Sequence, residues 1–243
     1  MEFTIVIPAR FDSQRLPGKA LVDIAGKPMI QRVYEQARLS NAKEVIVATD
    51  DKRIETVVND FGGQCCMTSS DHQSGTDRIQ EVISRRNMAD DEIIVNVQGD
   101  EPLIPPEVIN QVASNIETAN VVMATLYEPI DSTSDLLDPN IVKLVTDIND
   151  FALYFSRAPI PFKRDQNDVL DLCYKRHVGI YAYRASLLNN FVNWEADELE
   201  LMEKLEQLRA LRKGVKIHVE EAVSSIPPGV DTLEDLERTR QFY

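Results

Sequence analysis

Cysteine is scarce in this chain. Only Cys65, Cys66 and Cys173 occur. Two of them are adjacent, a poor geometry for a structural disulfide, and no CxxC pair is present. They read as core-filling residues, and a reducing cytoplasm is the simplest setting. Long apolar runs are missing as well. No stretch approaches the ~20 apolar residues of a membrane span, and the opening Met1-Glu2-Phe3-Thr4 lacks the basic-then-apolar signature of a secretory signal. Positive charge is in deficit: 26 Lys and Arg stand against 40 Asp and Glu, a net charge of −14. That argues against non-specific binding to nucleic acid or to anionic membranes, which needs basic surface. Two nucleotide-binding loops are absent, the phosphate loop GxxxxGK[ST] and the dinucleotide fingerprint GxGxxG. The second absence argues against a nicotinamide dehydrogenase.

What is present is patterned. The 243 residues are 43% hydrophobic, enough for one large α/β unit or one unit with a sizeable insertion. Phe3-Thr4-Ile5-Val6-Ile7 is a β-branched apolar run of the kind buried on both faces of a parallel sheet, with Pro8 expected to end it. A polar loop covers 9–19. A helix over 28–40 follows from Met29, Ile30, Val33 and Ala37 at helical spacing. The alternation repeats: strand 44–48, helix to about 60, strand 65–68, helix 76–86, strand 92–97, helix from Pro105-Pro106 to about 116. This predicts a doubly wound, mostly parallel α/β sheet, with the loops after residues 7, 49, 67 and 97 converging on one site at the carboxyl ends of the strands. Beyond 121 the strand-like runs 121–127, 141–146, 151–155 and 177–183 suggest a small antiparallel extension. Helices at 185–192 and 198–212, a strand at 215–219 and a helix from Asp231 to about Arg240 complete a single domain spanning 1–243. Within it, residues 128–182 are an elaboration over the site.

Several constellations carry chemistry. Arg10, Arg15 and Lys19 put three cations into ten residues directly after the first strand, with Gly18 among them. Arg forks and a Lys point charge suit a small polyanion such as a triphosphate. Gln98-Gly99-Asp100-Glu101-Pro102 ends the fourth strand, where a carboxylate is well placed to hold Mg²⁺. Asp231 either caps the last helix, a role Thr232 fills equally well, or meets Asp100 on one metal. Ser74-Gly75-Thr76-Asp77-Arg78 opens a helix, as an ordinary cap or as a contact to a base or phosphate. Alternation puts His177, Gly179 and Tyr181 on one strand face. The stripe of the 198–212 helix is Leu201, Met202, Leu205 and Leu208; Glu206 borders it and Gln207 lies far from it, so a solvated face is expected for both. His72 and His218 gain no role from their context.

Nine motifs then stand in order along nearly the whole chain: Ile7-Pro8-Ala9-Arg10, Arg15-Leu16-Pro17-Gly18-Lys19, Ala48-Thr49-Asp50, His72-Gln73-Ser74-Gly75-Thr76-Asp77-Arg78, Asn96-Val97-Gln98-Gly99-Asp100-Glu101-Pro102, Tyr154-Phe155-Ser156-Arg157, Arg176-His177-Val178-Gly179-Ile180-Tyr181, Leu205-Glu206-Gln207-Leu208-Arg209 and Gly229-Val230-Asp231-Thr232. With them the chain closely resembles the 3-deoxy-manno-octulosonate (KDO) cytidylyltransferases. The resemblance implies a nucleotide-diphospho-sugar transferase type of fold, a homodimer, CTP and an acidic eight-carbon sugar as substrates, and Mg²⁺. It implies that Arg10, Arg15 and Lys19 bind the CTP phosphates and that Ala9, Ser74, Gly75 and Arg78 border the cytidine. Asp100 and Asp231 would hold the metal, and Lys19, Arg15, Asp100 and Asp231 would be the catalytic set. Gln98, Arg157, His177, Tyr181, Glu206 and Gln207 would line the sugar-acid pocket, against the solvated reading of Glu206 and Gln207. Many relatives carry a longer segment between Arg164 and Arg176, so the substituent on the sugar's terminal carbon, hydroxyl or amine, stays open. A sialate-type cytidylyltransferase would share the Arg10–Lys19 loop and differ in the pocket. A non-catalytic nucleotide-binding regulator would have lost the metal aspartates, and both are present.

Overall fold

A buried parallel strand must be apolar on both faces, and the first strand shows why this chain makes one. The computed structural model describes residues 1–12, 16–72, 74–164 and 174–243; Arg15, Gln73 and Cys173 lie outside them. In β1 (Phe3–Ala9) the side chains of Phe3, Ile5, Ile7 and Ala9 enter one core and Val6 enters the other, all close to fully buried. The strand runs two residues further than its sequence predicts. Pro8 is tolerated inside it because its carbonyl faces Gly99, on the side where the neighbouring strand has already ended; the N–H that Pro8 lacks has no ladder partner to lose there.

A short 3₁₀ turn, Lys19–Leu21, follows the loop, and then a hairpin the periodicity did not reveal: β2 (Asp23–Ile24) and β3 (Lys27–Pro28) around Ala25 and Gly26, both at positive φ. The expected alternation comes next: α1 (Met29–Arg38), β4 (Glu44–Thr49), α2 (Lys52–Asp60), β5 (Gln64–Met67), α3 (Gly75–Arg86), β6 (Ile93–Asn96) and α4 (Pro106–Thr118). The second half holds β7 (Met123–Ile130), the short α5 (Thr133–Leu137), β8 (Lys143–Thr146), β9 (Ala152–Ser156) and the long β10 (Tyr174–Arg184). It continues with α6 (Ala185–Phe191), α7 (Glu198–Glu203), α8 (Gln207–Arg212), β11 (Ile217–Glu221) and α9 (Leu233–Arg240).

The sheet order is β11-β7-β10-β6-β1-β4-β5. Its pairs are parallel except where β10 lies antiparallel between β6 and β7, and β8 and β9 extend it beyond β10 as an antiparallel flap. Helices α1, α2, α4 and α9 contribute to one core, and α3, α6 and α8 to the other. The sheet is thus mixed and mostly parallel, with helices on both faces, as expected.

The 198–212 segment departs from expectation. It is two helices, broken at Lys204, which takes a left-handed conformation (φ 55°). The break resets the helical phase. Gln207, assigned to a solvated face on an unbroken helix, is buried, while Leu201 and Met202 from the expected apolar stripe are 54% and 81% exposed. A buried ion pair between Glu200 and Arg209 braces the corner, with Arg209 lying over the Phe191 ring. At the chain end, Thr232 caps α9 in a reciprocal capping box with Asp235, so capping is not the work of Asp231.

Gly99 is dictated by a close approach of backbone to backbone: a Cβ there would lie 2.9 Å from the Pro8 carbonyl oxygen. Main chain cannot yield as a rotamer can. Gly99→Ala is therefore expected to lose about 1–3 kcal/mol of stability, read as a lower urea midpoint at unchanged m-value.

Candidate active site

At the carboxyl edge of the sheet two adjoining cavities share Gln98; the loops after β1 and β6 and the start of α3 line them, whereas the described residues of the loops after β4 and β5, expected at the same site, line neither. The first, of about 290 Å³, is lined by Ala9, Arg10, Lys19, Gly99, Asp100 and Asp231 among others. Leu16 and Ala20 anchor the preceding loop in the core, and Gly18 turns the chain between them at φ 67°. That turn presents Lys19. Its Nζ donates to Asp100 Oδ2 at 2.6 Å and to Asp231 Oδ1 at 2.7 Å. Two aspartates far apart in the sequence thus converge on one cation. Asp100 is placed by the end of β6. Asp231 is brought to it by main chain, since Val230 N–H donates to the Asp100 carbonyl at 2.8 Å and Gly229 passes close against the same oxygen. Arg10 brings a second cation, and its Nη2 is buried with no partner among the described residues. The cavity offers cations and carboxylates together, the equipment for a phosphate chain and its metal.

The second cavity, of about 320 Å³, has a different character. Gly75, Gln98, Tyr181, Glu206 and Gln207 line it from the expected set, and Leu187, Leu188, Phe191 and Leu205 give it an apolar wall. Burial pushes the Glu206 carboxyl up, against a 2.7 Å hydrogen bond from Thr76 Oγ1. Burial also raises the Tyr181 and Tyr183 phenols. Gln207 Nε2 is buried and unpartnered among the described residues, as is Asn96 Oδ1. A third opening, beyond Gly179, reaches His177 and returns to Asp100 and Asp231.

His177 and Tyr181 do meet, with ring centroids 5.2 Å apart, and Phe155 closes on His177 edge-on at 5.1 Å. The strand does not alternate cleanly between them. The β10–β7 register slips after Val178, and Thr125 Oγ1 stitches the irregularity, donating to the Ile180 carbonyl at 2.7 Å and standing 3.0 Å from His177 Nε2. Burial lowers the His177 pKa to about 3.

Other expected residues stand elsewhere. Arg78 is fully buried and bonded to Asp50 and Thr68, tying the β4 and β5 loops together. Ser74 caps α3 in a capping box with Asp77. The Arg157 guanidinium donates to the carbonyls of Glu203 and Pro139, beside the α7–α8 corner. Sequence reasoning missed Asn96 and Tyr183. A polar residue ending the buried run Ile93-Ile94-Val95 was a signal, and Tyr183 was one alternation beyond Tyr181.

Comparisons with known proteins place the chain in a family. A family model described as Cytidylyltransferase matches residues 4–217. The 3-deoxy-manno-octulosonate cytidylyltransferase of Saccharophagus degradans is 56% identical, over 99% of this chain and 98% of its own. The protein of that name from Coxiella burnetii is also 56% identical, over 100% of both chains. Among solved structures, CMP:2-keto-3-deoxy-manno-octonic acid synthetase complexed with CTP superposes with a TM-score of 0.92 at 44% identity, over 100% of this chain and 98% of that one. A cytidylyltransferase from Leptospira borgpetersenii shares the fold alone, with a TM-score of 0.62 at 16% identity, over 100% of this chain and 87% of that one.

The His177 imidazole, partly accessible at the third opening but desolvated by the side chains packed around it, generates a pH prediction. A histidine whose folded pKa sits near 3 stays neutral in the fold, while the unfolded chain takes up a proton below about 6.5. Its contribution is complete above that value and is lost as pH falls from 6.5 toward 3. In NMR titrations the His177 ring resonance is expected to stay flat from pH 8 to 5. A shift in that range would contradict the buried, neutral assignment.

Proposed function

The chain belongs to the cytidylyltransferase family, and on that premise we propose that it transfers CMP from CTP to the anomeric hydroxyl of KDO, releasing pyrophosphate, as a step of lipopolysaccharide biosynthesis. The observation that carries this reading is the Lys19 ammonium shared by Asp100 and Asp231, next to an Arg10 nitrogen that lacks a partner among the described residues. The anomeric oxygen attacks the α-phosphorus of CTP. A new P–O bond forms as the bond to the bridging oxygen of the leaving pyrophosphate breaks in line, and the hydroxyl proton passes to solvent water. No covalent enzyme intermediate is needed.

Each part of the site has a task in that reaction. Arg10 and Lys19, with Arg15 from the same loop, hold the triphosphate and offset the charge that collects on the leaving group. The second cavity holds the sugar acid: Gln98 and Gln207 offer amide donors, Tyr181 a phenol, and the apolar wall excludes water. His177, kept neutral by burial, orients beside Tyr181. Asp100 and Asp231 are the residues that would hold Mg²⁺. The donor chemistry fits, because Mg²⁺ is commonly held by one or two carboxylates together with substrate phosphates and water, and these two carboxylates already converge on one cation. Bound there, Mg²⁺ supplies charge neutralisation and makes a nearby hydroxyl more acidic.

The same reading includes a homodimer. Leu153 on β9, Phe162 in the loop after it, and Leu201 and Met202 on α7 are exposed apolar side chains, and the Ser156–Glu203 hydrogen bond joins the two elements, a surface suited to a second copy. No helix among the described residues is long and apolar enough to cross a membrane. Cys65 and Cys66 are free thiols, which suits a cytoplasmic enzyme.

Pyrophosphate release with CTP and Mg²⁺ against a panel of acidic sugars tests the activity. KDO is expected to be the preferred acceptor over its 8-amino analogue and sialic acid, with ATP and GTP poor donors. Equal turnover with all four triphosphates would overturn the reading. A second experiment separates neighbours. Thr232→Ala removes a helix cap and is expected to cost about 0.5–2 kcal/mol of stability with turnover kept. Asp231→Asn should melt near wild type, turn over far more slowly and need more Mg²⁺.

A further inference from the structure

Arg176 opens one of the motifs yet has no task in the transfer reaction. It lies directly across from Glu128 in the β10–β7 ladder. Arg176 Nε donates to Glu128 Oε2 at 2.9 Å, and Nη2 donates to the same oxygen. The pair does not end there. Glu128 Oε1 accepts the Ile226 N–H at 2.9 Å, and Arg176 Nη2 also donates to the Ile226 carbonyl at 3.3 Å. One ion pair therefore holds both polar groups of a single loop residue, whose side chain is itself buried.

The chain beyond Ile226 makes this more than a surface contact. Pro227 and Pro228 fix two successive φ angles, so an error in the placement of Ile226 passes on with little damping. Gly229 then lies against the Asp100 carbonyl, the Val230 amide bonds to that oxygen, and Asp231 meets Lys19. Upstream, Val223 and Ser224 are tied to Gln111 and Glu107 of α4, which leaves Ile226 as the last attachment before the proline pair. Arg176 also precedes His177 on the strand that faces the acceptor cavity. We propose that the Arg176–Glu128 pair positions Asp231: it sets where Asp231 stands relative to Asp100 and links the acceptor-facing strand to the loop that would carry the metal. The proposal rests on the functional reading only for the use made of Asp231; the anchoring itself is independent of it.

The test uses Glu128→Ala, which removes both acceptors, and Glu128→Gln, which keeps an oxygen for the Ile226 N–H. In hydrogen-exchange mass spectrometry of the unliganded full chain, Glu128→Ala is expected to accelerate exchange in the 226–232 segment while β1, β4 and β6 stay protected. The Mg²⁺ midpoint for pyrophosphate release should rise about 10–100-fold, the range for loss of a group that orients a metal ligand, with KM for CTP nearly unchanged. Glu128→Gln should recover most of both. Uniformly faster exchange with an unmoved Mg²⁺ midpoint would mean a merely structural pair and overturn the proposal. So would unchanged exchange in 226–232. If Glu128→Ala does not fold, Arg176→Lys, which keeps the charge and loses the fork on Glu128 together with the bond to the Ile226 carbonyl, carries the same comparison. If the wild-type chain fails to turn over CTP and KDO, the functional reading falls while the exchange experiment still decides the anchoring.

Discussion

One ammonium between two carboxylates organises the carboxyl edge of this sheet. Asp100 and Asp231 would repel each other across so short a gap without a cation, and Lys19 supplies it. Three distant segments are committed to that meeting: the loop after β1, the end of β6 and the loop before α9. Each is held by its own device. Gly18 turns the first loop in a left-handed conformation, Gly99 lets the second pass against Pro8, and Val230 pins the third to the Asp100 carbonyl. The charges are thus fixed by backbone geometry before any ligand arrives, which is what preorganisation requires.

The neighbouring cavity follows the opposite electrostatic rule. Burial raises the Glu206 carboxyl and the two tyrosine phenols in its wall, and so favours their uncharged forms. A fully ionised Glu206 would repel a sugar acid, so a carboxyl biased toward neutrality suits that ligand better. The two cavities meet at Gln98, an uncharged side chain that faces both. A chamber of paired charges and a more apolar one share a wall, as the proposed joining of a triphosphate to an acidic sugar would require.

Much of this is legible in the sequence because buried parallel strands leave little freedom. The runs 3–7, 44–48 and 92–97 are apolar on both faces, and each predicts a strand of the right type with nearly the right ends. That the loops after the first and last of these runs meet at one edge comes from topology. What fails is local phase. An unbroken helix over 198–212 puts Gln207 in solvent, and nothing in the periodicity announces that Lys204 adopts a left-handed turn; packing of Leu205 and Leu208 into the core overrides local preference. The choice of cap between Asp231 and Thr232 is open in the sequence because adjacent oxygens can serve one helix end; the capping box of Thr232 with Asp235 and the approach of Lys19 to Asp231 distinguish them. The strand irregularity at Gly179 depends on Thr125, a residue remote in sequence, and no local pattern could show it.

The antiparallel strand β10 also sets the order in which the molecule can be completed. On one side it is, among the described residues, the sole ladder partner of β6 besides β1; on the other it carries β7, which in turn carries β11. Residues 97–173 therefore leave the ribosome before the strand that joins the two halves exists. During that interval β6 is an open, apolar edge of the kind that templates association with other chains. The stretch from Glu128 to Asp150, with a surplus of acidic side chains, emerges while this edge is uncovered, and like charge of that kind opposes close approach of two such chains.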